Sequence, residues 1–198
     1  RVERFAETTH DELLVALSRL DSLQMRGLVL DLRGNPGGYL HEAVAIADEL
    51  LGDETSIVIT KYGDGRTHTS TASGGHRYED LPLHIIIDGN SASASEVVTG
   101  ALQDHDRATV YGSTSFGKGL VQEDKILSDG SKVRLTVAYY YTPSGRSIQK
   151  PYEGADLPGQ MKGAVFTSDS GKVLLASGGI EPDVYLPADS SNSYYWSM

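Results

Sequence analysis

Residues 27–51 read GLVLDLRGNPGGYLHEAVAIADELL, and the change of character along them decides the fold. Gly27 to Leu32 is a run whose side chains are apolar but for Asp31, of a length that suits a buried strand. Arg33 to Gly38, RGNPGG, carries too much glycine and proline for either regular element and is a loop. From Leu40 to Leu51 the apolar residues return at helical spacing. Another apolar run, Ser56 to Lys61, then gives strand, loop, helix and strand in succession, which predicts a parallel crossover unit.

The same grammar recurs downstream. Leu83 to Ile87 (LHIII) is a strand, Asp88-Gly89-Asn90 a turn, Ser95 to Leu102 a helix and Thr109 to Tyr111 a short strand. Alternation of this kind is the signature of an α/β domain. Beyond Tyr111 the pattern changes: Val121 to Leu127 and Lys132 to Tyr141 flank Ser128-Asp129-Gly130-Ser131, and Asp-Gly between alternating runs predicts a β-hairpin. Upstream, Arg1 to Phe5 alternates like a strand. Thr9-His10-Asp11-Glu12 has capping-box spacing ahead of a helix with Leu13, Leu14, Leu17 and Leu20 on its apolar face. Pro143 to Gly179 reads as loop with short strands, a last strand is expected near Val184, and Tyr194-Tyr195-Trp196 reads as a docking tail.

Composition narrows the function classes. The 198 residues suit one domain with a sizeable core. Seventeen basic against 27 acidic residues leave a formal charge of −10. With no Lys/Arg cluster to track a phosphate backbone, this speaks against a nucleic-acid partner. The absence of cysteine excludes thiol chemistry, zinc–thiolate sites and disulfides. The apolar runs are too short to span a bilayer, so no membrane insertion is expected.

Three stretches carry candidate chemistry. Gly112 to Lys118, G-S-T-S-F-G-K, matches a phosphate-binding loop up to its last position, where Gly119 stands instead of the serine or threonine that would bind magnesium. The hairpin that follows also denies this loop the helix it needs, so nucleotide binding is a remote reading. Asn90 to Glu96, NSASASE, sets three serines among alanines at a strand-to-helix junction. It is either a helix cap with a small-residue packing face or a place where a serine hydroxyl stands exposed beside a helix N-terminus. RGNPGG is open in the same way, as a tight turn or as a source of backbone N–H groups for an oxyanion. The histidines lack metal-ligand spacing: four residues after His41 stands Ala45. A serine triad through His84 or His105 stays open.

Taken together and in order, L-D-L-R-G-N-P-G-G, S-A-S-A-S-E, S-F-G-K-G-L-V-Q, Y-T-P-S-G-R-S-I-Q and G-G-I-E-P-D resemble the C-terminal processing peptidases, also called tail-specific proteases. The resemblance runs from about Phe5 to Pro187. It implies that Ser93, the middle serine, is the nucleophile, that Lys118, 25 residues on, is the general base, and that Gln122 orients the lysine. Ser91 and Ser95 are then not the nucleophile. Phe116 and Leu120 flank Lys118 and are expected to desolvate it, which a lysine base requires because its ordinary pKa is about 10.4. Backbone N–H groups of Ala94 and of Gly37 or Gly38 are the expected oxyanion donors.

The resemblance further implies a ClpP/crotonase-like spiral of βαβ units with a hairpin-rich C-terminal part. It implies no metal or cofactor, protein or peptide substrates with unstructured C-termini, and a periplasmic or cell-envelope location. A homo-oligomer is compatible with it. Relatives carry a PDZ domain ahead of the first strand, so residues 1–198 are expected to be a single peptidase core, a piece of a longer chain. Glu153 to Lys172 matches the family weakly. A non-catalytic peptide-binding or scaffold protein of the same fold is the alternative reading.

Overall fold

The computed structural model describes residues 1–151 and 163–187. The chain runs α1 (Thr9–Ser22), β1 (Leu28–Asp31), α2 (Leu40–Asp48), β2 (Ser56–Tyr62), β3 (Thr67–Thr71), β4 (Leu83–Ile87) and α3 (Ala94–Asp104). It continues through β5 (Thr109–Gly112), β6 (Leu120–Ile126), β7 (Lys132–Tyr141), β8 (Val165–Thr167), β9 (Val173–Leu175) and β10 (Val184–Tyr185). These form a parallel sheet in the order β1-β4-β5-β10, an antiparallel sheet in the order β3-β2-β7-β6, and the small β8-β9 pair.

The first crossover differs from the sequence expectation. β2 does not lie beside β1; it joins the second sheet, antiparallel to β3 and β7, and the parallel partner of β1 is β4. The reason lies in the side chains. β2 is buried on only part of its length and ends in Lys61 and Tyr62, which fits a sheet with one wet face, whereas Leu83, Ile85 and Ile87 of β4 are all buried. β3, Thr-His-Thr-Ser-Thr, is polar and carries no apolar alternation to announce it. The Asp64-Gly65 turn before it was its one available signal.

The second crossover is as expected: β4, α3 and β5 follow one another, and β4 pairs in parallel with β5. Every residue of α3 is buried, because the helix packs against α2, β2 of the antiparallel sheet and β5 of the parallel one. A helix covered all round needs small residues where neighbours press closest. A Cβ on Gly100 would stand 2.7 Å from Thr142 Cγ2.

Two smaller expectations shift. The capping box at Thr9 does not form: the N-cap of α1 is Thr8, whose side chain caps no helix amide and whose hydroxyl donates to Glu12 Oε1 (2.7 Å), while Thr9 is already helical and its hydroxyl donates to Arg4 O. Of its four leucines only Leu17 is fully buried. Arg1 to Phe5 forms no strand, but Val2 N donates to Asp31 O and Phe5 is in the core. The β6-β7 hairpin stands as read, turning through Asp129-Gly130. Residues 153–162 of the weakly matching segment and the tail Tyr194-Tyr195-Trp196 lie outside the described residues.

Candidate active site

The site is built where the end of β1 and the end of β4 meet. Asn35, fully buried in the RGNPGG loop, fastens the two turns together. Its carbonyl accepts Ala92 N (3.0 Å) and Ser95 Oγ (3.1 Å), and its side chain holds Gly37 N (2.9 Å) and Val2 O (3.0 Å). The loop is glycine at 37 because a Cβ there would lie 2.6 Å from Ala92 O and 2.8 Å from Ser93 Cβ. The two loops are therefore in backbone contact, which only small residues permit.

That contact separates the three serines. Ser91 and Ser95 are completely buried, and their hydroxyls donate to Leu32 O (2.9 Å) and Asn35 O (3.1 Å). Ser93 is only partly buried and sits at the N-cap of α3 with φ 55° and ψ −112°. Non-glycine residues seldom hold such a backbone, and it places the Ser93 side chain on the wall of a cavity of about 390 Å³. Gly38, Lys118, Leu120, Gln122 and Tyr140 line the same cavity. His84 and His105 do not line it; His105 is tied to Asp169 and to Ser56 O.

Lys118 arrives on a segment whose backbone is specified at three points. Gly117 has φ +88°, and a Cβ there would meet Gly178 O at 2.8 Å. Gly119 donates to Gln149 Oε1 (3.0 Å), and a Cβ on it would stand 2.7 Å from Gln149 N. Lys150 N donates back to Gly117 O (2.8 Å). Hence the YTPSGRSIQ and GGIEPD segments brace the lysine loop from behind. β6 follows at once, so a phosphate loop's helix is absent and there is no space for its hydroxyl. Gly119→Ser, which completes the phosphate-loop pattern, is expected to cost about 1–3 kcal/mol by overpacking. Calorimetric titration with magnesium–ATP should detect no binding to it; nucleotide affinity would revive the discarded reading.

Glu96 is a buried junction to which the sequence reading assigned no role. It is 1% exposed. Its Oε2 accepts Ser93 N and Lys118 N, both at 2.8 Å, and its Oε1 accepts Gly117 N (2.7 Å) and Ser115 Oγ (2.5 Å). Burial pushes its carboxyl above the ordinary range, against the pull of these donors. The available signal was the spacing Ser93-x-x-Glu96, a capping box at the start of α3.

The surroundings of Lys118 differ from expectation in one respect. Leu120 is buried beside it, but Phe116 is 55% exposed, because its backbone, not its ring, is anchored, through Ser91 O. Phe116 instead lines a second, larger cavity of about 830 Å³ that also reaches Lys118, Leu120 and Gln122. Gln122 is exposed, and among the described residues no hydrogen bond joins Ser93 Oγ, Lys118 Nζ and Gln122 to one another. Tyr140 is pushed up to about 12, chiefly by burial, and stays a neutral phenol at the cavity wall. Of the expected oxyanion donors, Gly37 N is taken by Asn35 Oδ1, whereas Gly38 N and Ala94 N donate to no described residue.

Known proteases resemble this chain along most of its length. The carboxy-terminal-processing protease of Bartonella bacilliformis is 44% identical over 157 residues, 75% of this chain and 35% of that protein. The carboxyl-terminal-processing protease of Synechocystis is 41% identical over 150 residues, 76% of this chain and 35% of that protein. The chain thus spans about a third of the length of the curated relatives it matches. The solved structure of a photosystem II D1 C-terminal processing protease superposes with a TM-score of 0.75 at 33% identity, over 94% of this chain and 41% of that one. A family model matches residues 1–156, the span that contains the serine turn, the lysine loop and the β6-β7 hairpin, and the chain belongs to peptidase family S41.

Proposed function

We propose that this chain is the core of a serine peptidase that cleaves protein or peptide substrates near unstructured C-terminal tails. The observation that carries the reading is a strained, partly buried Ser93 sharing one cavity with Lys118, Gln122 and Gly38, whose amide has no partner among the described residues.

In this mechanism neutral Lys118 takes the Ser93 proton as Oγ bonds to the substrate carbonyl carbon. The carbonyl oxygen becomes an oxyanion between the N–H groups of Ala94 and Gly38. Lys118, now an ammonium, gives its proton to the departing amine as the C–N bond breaks. Water then loses a proton to Lys118, attacks the acyl carbon and releases the acid, and Ser93 recovers its proton. A substrate strand lying over Phe116 and the exposed Gln122 supplies the desolvation that the free site lacks. Gln122, uncharged, holds the amine without favouring the ammonium. The lack of a Ser93–Lys118 hydrogen bond favours a resting site that tightens on substrate.

We infer further that the α/β fold is of the ClpP/crotonase type and that the whole protein works in the periplasm or cell envelope. Among the described residues no helix is long and apolar enough to cross a membrane.

The test is chemical. An alkyl fluorophosphonate should phosphonylate one residue, losing fluoride as the serine O–P bond forms, and peptide mapping by mass spectrometry should find the adduct on Ser93. The same sample should cleave an unstructured peptide and stop doing so once labelled. An adduct on Ser91, Ser95 or no serine at all refutes the assignment.

A further inference from the structure

We propose that Glu96 is a positioning residue whose single carboxylate oxygen sets the backbone of the nucleophile against the backbone of the general base. The inference rests on the peptidase reading and adds to it a residue that touches neither substrate nor the reacting atoms.

The geometry is specific. Ser93 N and Lys118 N both donate to Oε2 of Glu96 at 2.8 Å, so these two amides can be no further apart than twice that distance, although 25 residues separate them in the chain. The other oxygen takes Gly117 N and Ser115 Oγ, and Ser115 Oγ in turn accepts Ile180 N at 2.6 Å. Ser115 N donates to Ile180 O, closing the connection to the last loop. One buried carboxylate therefore gathers the serine turn, the lysine loop and the segment that braces it.

Four donors on two oxygens suit the ionised form, in which both oxygens only accept, and an amide in its place would turn a hydrogen toward an N–H already pointing in. Stability does not explain why the ionised form is kept there. Burial raises the carboxyl of Glu96 above its unfolded value, so its contribution to folding is present below the ordinary carboxyl range and is lost as pH rises through the raised value. A carboxylate kept here works against the burial that opposes its charge, which fits a group kept for geometry at a working site. The strained φ of Ser93 is held by the same contact, through its own N–H.

The experiment is Glu96→Gln, assayed well below the melting temperature and normalised to folded protein. The amide matches Glu96 in shape but turns an NH₂ group toward two donors. Expected are a fall of at least about tenfold in kcat and in the rate of Ser93 phosphonylation, with KM for an unstructured peptide within about twofold. A purely structural role would lower the melting temperature and leave the rate per folded molecule unchanged, and that result overturns the proposal. If the variant does not fold, the unaltered chain decides: the amides of Ser93 and Lys118 should be protected from hydrogen exchange by about 100-fold or more, and free exchange at either overturns it. An unaltered chain that neither cleaves peptide nor labels at Ser93 refutes the peptidase reading, and this inference with it.

Discussion

Ser93→Ala is expected to reduce turnover of an unstructured peptide by about a thousandfold or more while leaving the melting temperature within a few degrees of the unaltered chain. The size follows from what is removed: the covalent route disappears, and only binding and oxyanion stabilisation stay behind. The small change in stability follows from the environment, because Ser93 lines the cavity and its backbone N–H is held by the Glu96 carboxylate, which alanine keeps; only the hydroxyl's half of the capping box is lost. Lys118→Ala should fall as far, and Lys118→Arg should not recover. An arginine keeps the positive charge but never gives up its proton near neutral pH, so it serves an anion site and cannot serve as a base. Activity in the arginine variant would mean that Lys118 acts as a cation, and it would sink the proton-transfer role.

Much of this site could be read without coordinates, and the reasons are local. RGNPGG, SASASE and FGKG are short segments whose glycines and small residues answer to backbone contacts: Gly37 against Ala92 O, Gly117 against Gly178 O, Gly119 against Gln149 N. Such contacts leave few permitted residues, so the pattern survives in the sequence as a legible trace. The β4-α3-β5 crossover and the β6-β7 hairpin were legible for the same reason, since periodicity and an Asp-Gly turn are local signals.

What was not legible depends on pairing at a distance. Nothing in Ser56 to Tyr62 says that its partners are Thr67 to Thr71 and Lys132 to Tyr141, because either a parallel or an antiparallel neighbour would satisfy its apolar run. The expected shielding of Lys118 by Phe116 failed similarly: adjacency in sequence placed the ring nearby, while the hydrogen bond from Phe116 N to Ser91 O turned the residue outward. Glu96 was hidden by ambiguity of another kind. A glutamate three residues past a cap serine ordinarily serves its own helix, and only the arrival of residues 115–118 beside it makes it a junction.

Removing the buried charge behind the lysine loop should do the greatest damage to stability. The Arg146 and Asp104 side chains are each 1% exposed, and Arg146 Nη2 donates to Asp104 Oδ1 (2.7 Å) and to Gln103 Oε1 (2.9 Å). Asp104 Oδ2 also accepts Ser144 N (2.9 Å), while Arg146 Nε and Nη1 are buried with no partner among the described residues. Asp104→Ala strands a guanidinium that already lacks two partners, so it is expected to cost about 3–5 kcal/mol. At about 2–4 °C per kcal/mol for a chain of this size, that is a fall of roughly 6–20 °C in melting temperature, measurable by calorimetry and by urea unfolding. Asp104→Leu combined with Arg146→Met removes both charges and the two unpaired donors, and should recover a good part of the loss. A double variant as unstable as the single one would mean that the pair contributes through its attraction and not through the penalty of an orphaned charge. The effect should also reach the site. Ile148 and Gln149, two and three residues beyond Arg146, press against Gly119, and Gln149 Oε1 accepts its N–H. Loosening Arg146 therefore slackens the support behind Lys118, and Asp104→Ala should lose peptide turnover at temperatures where most of it is still folded.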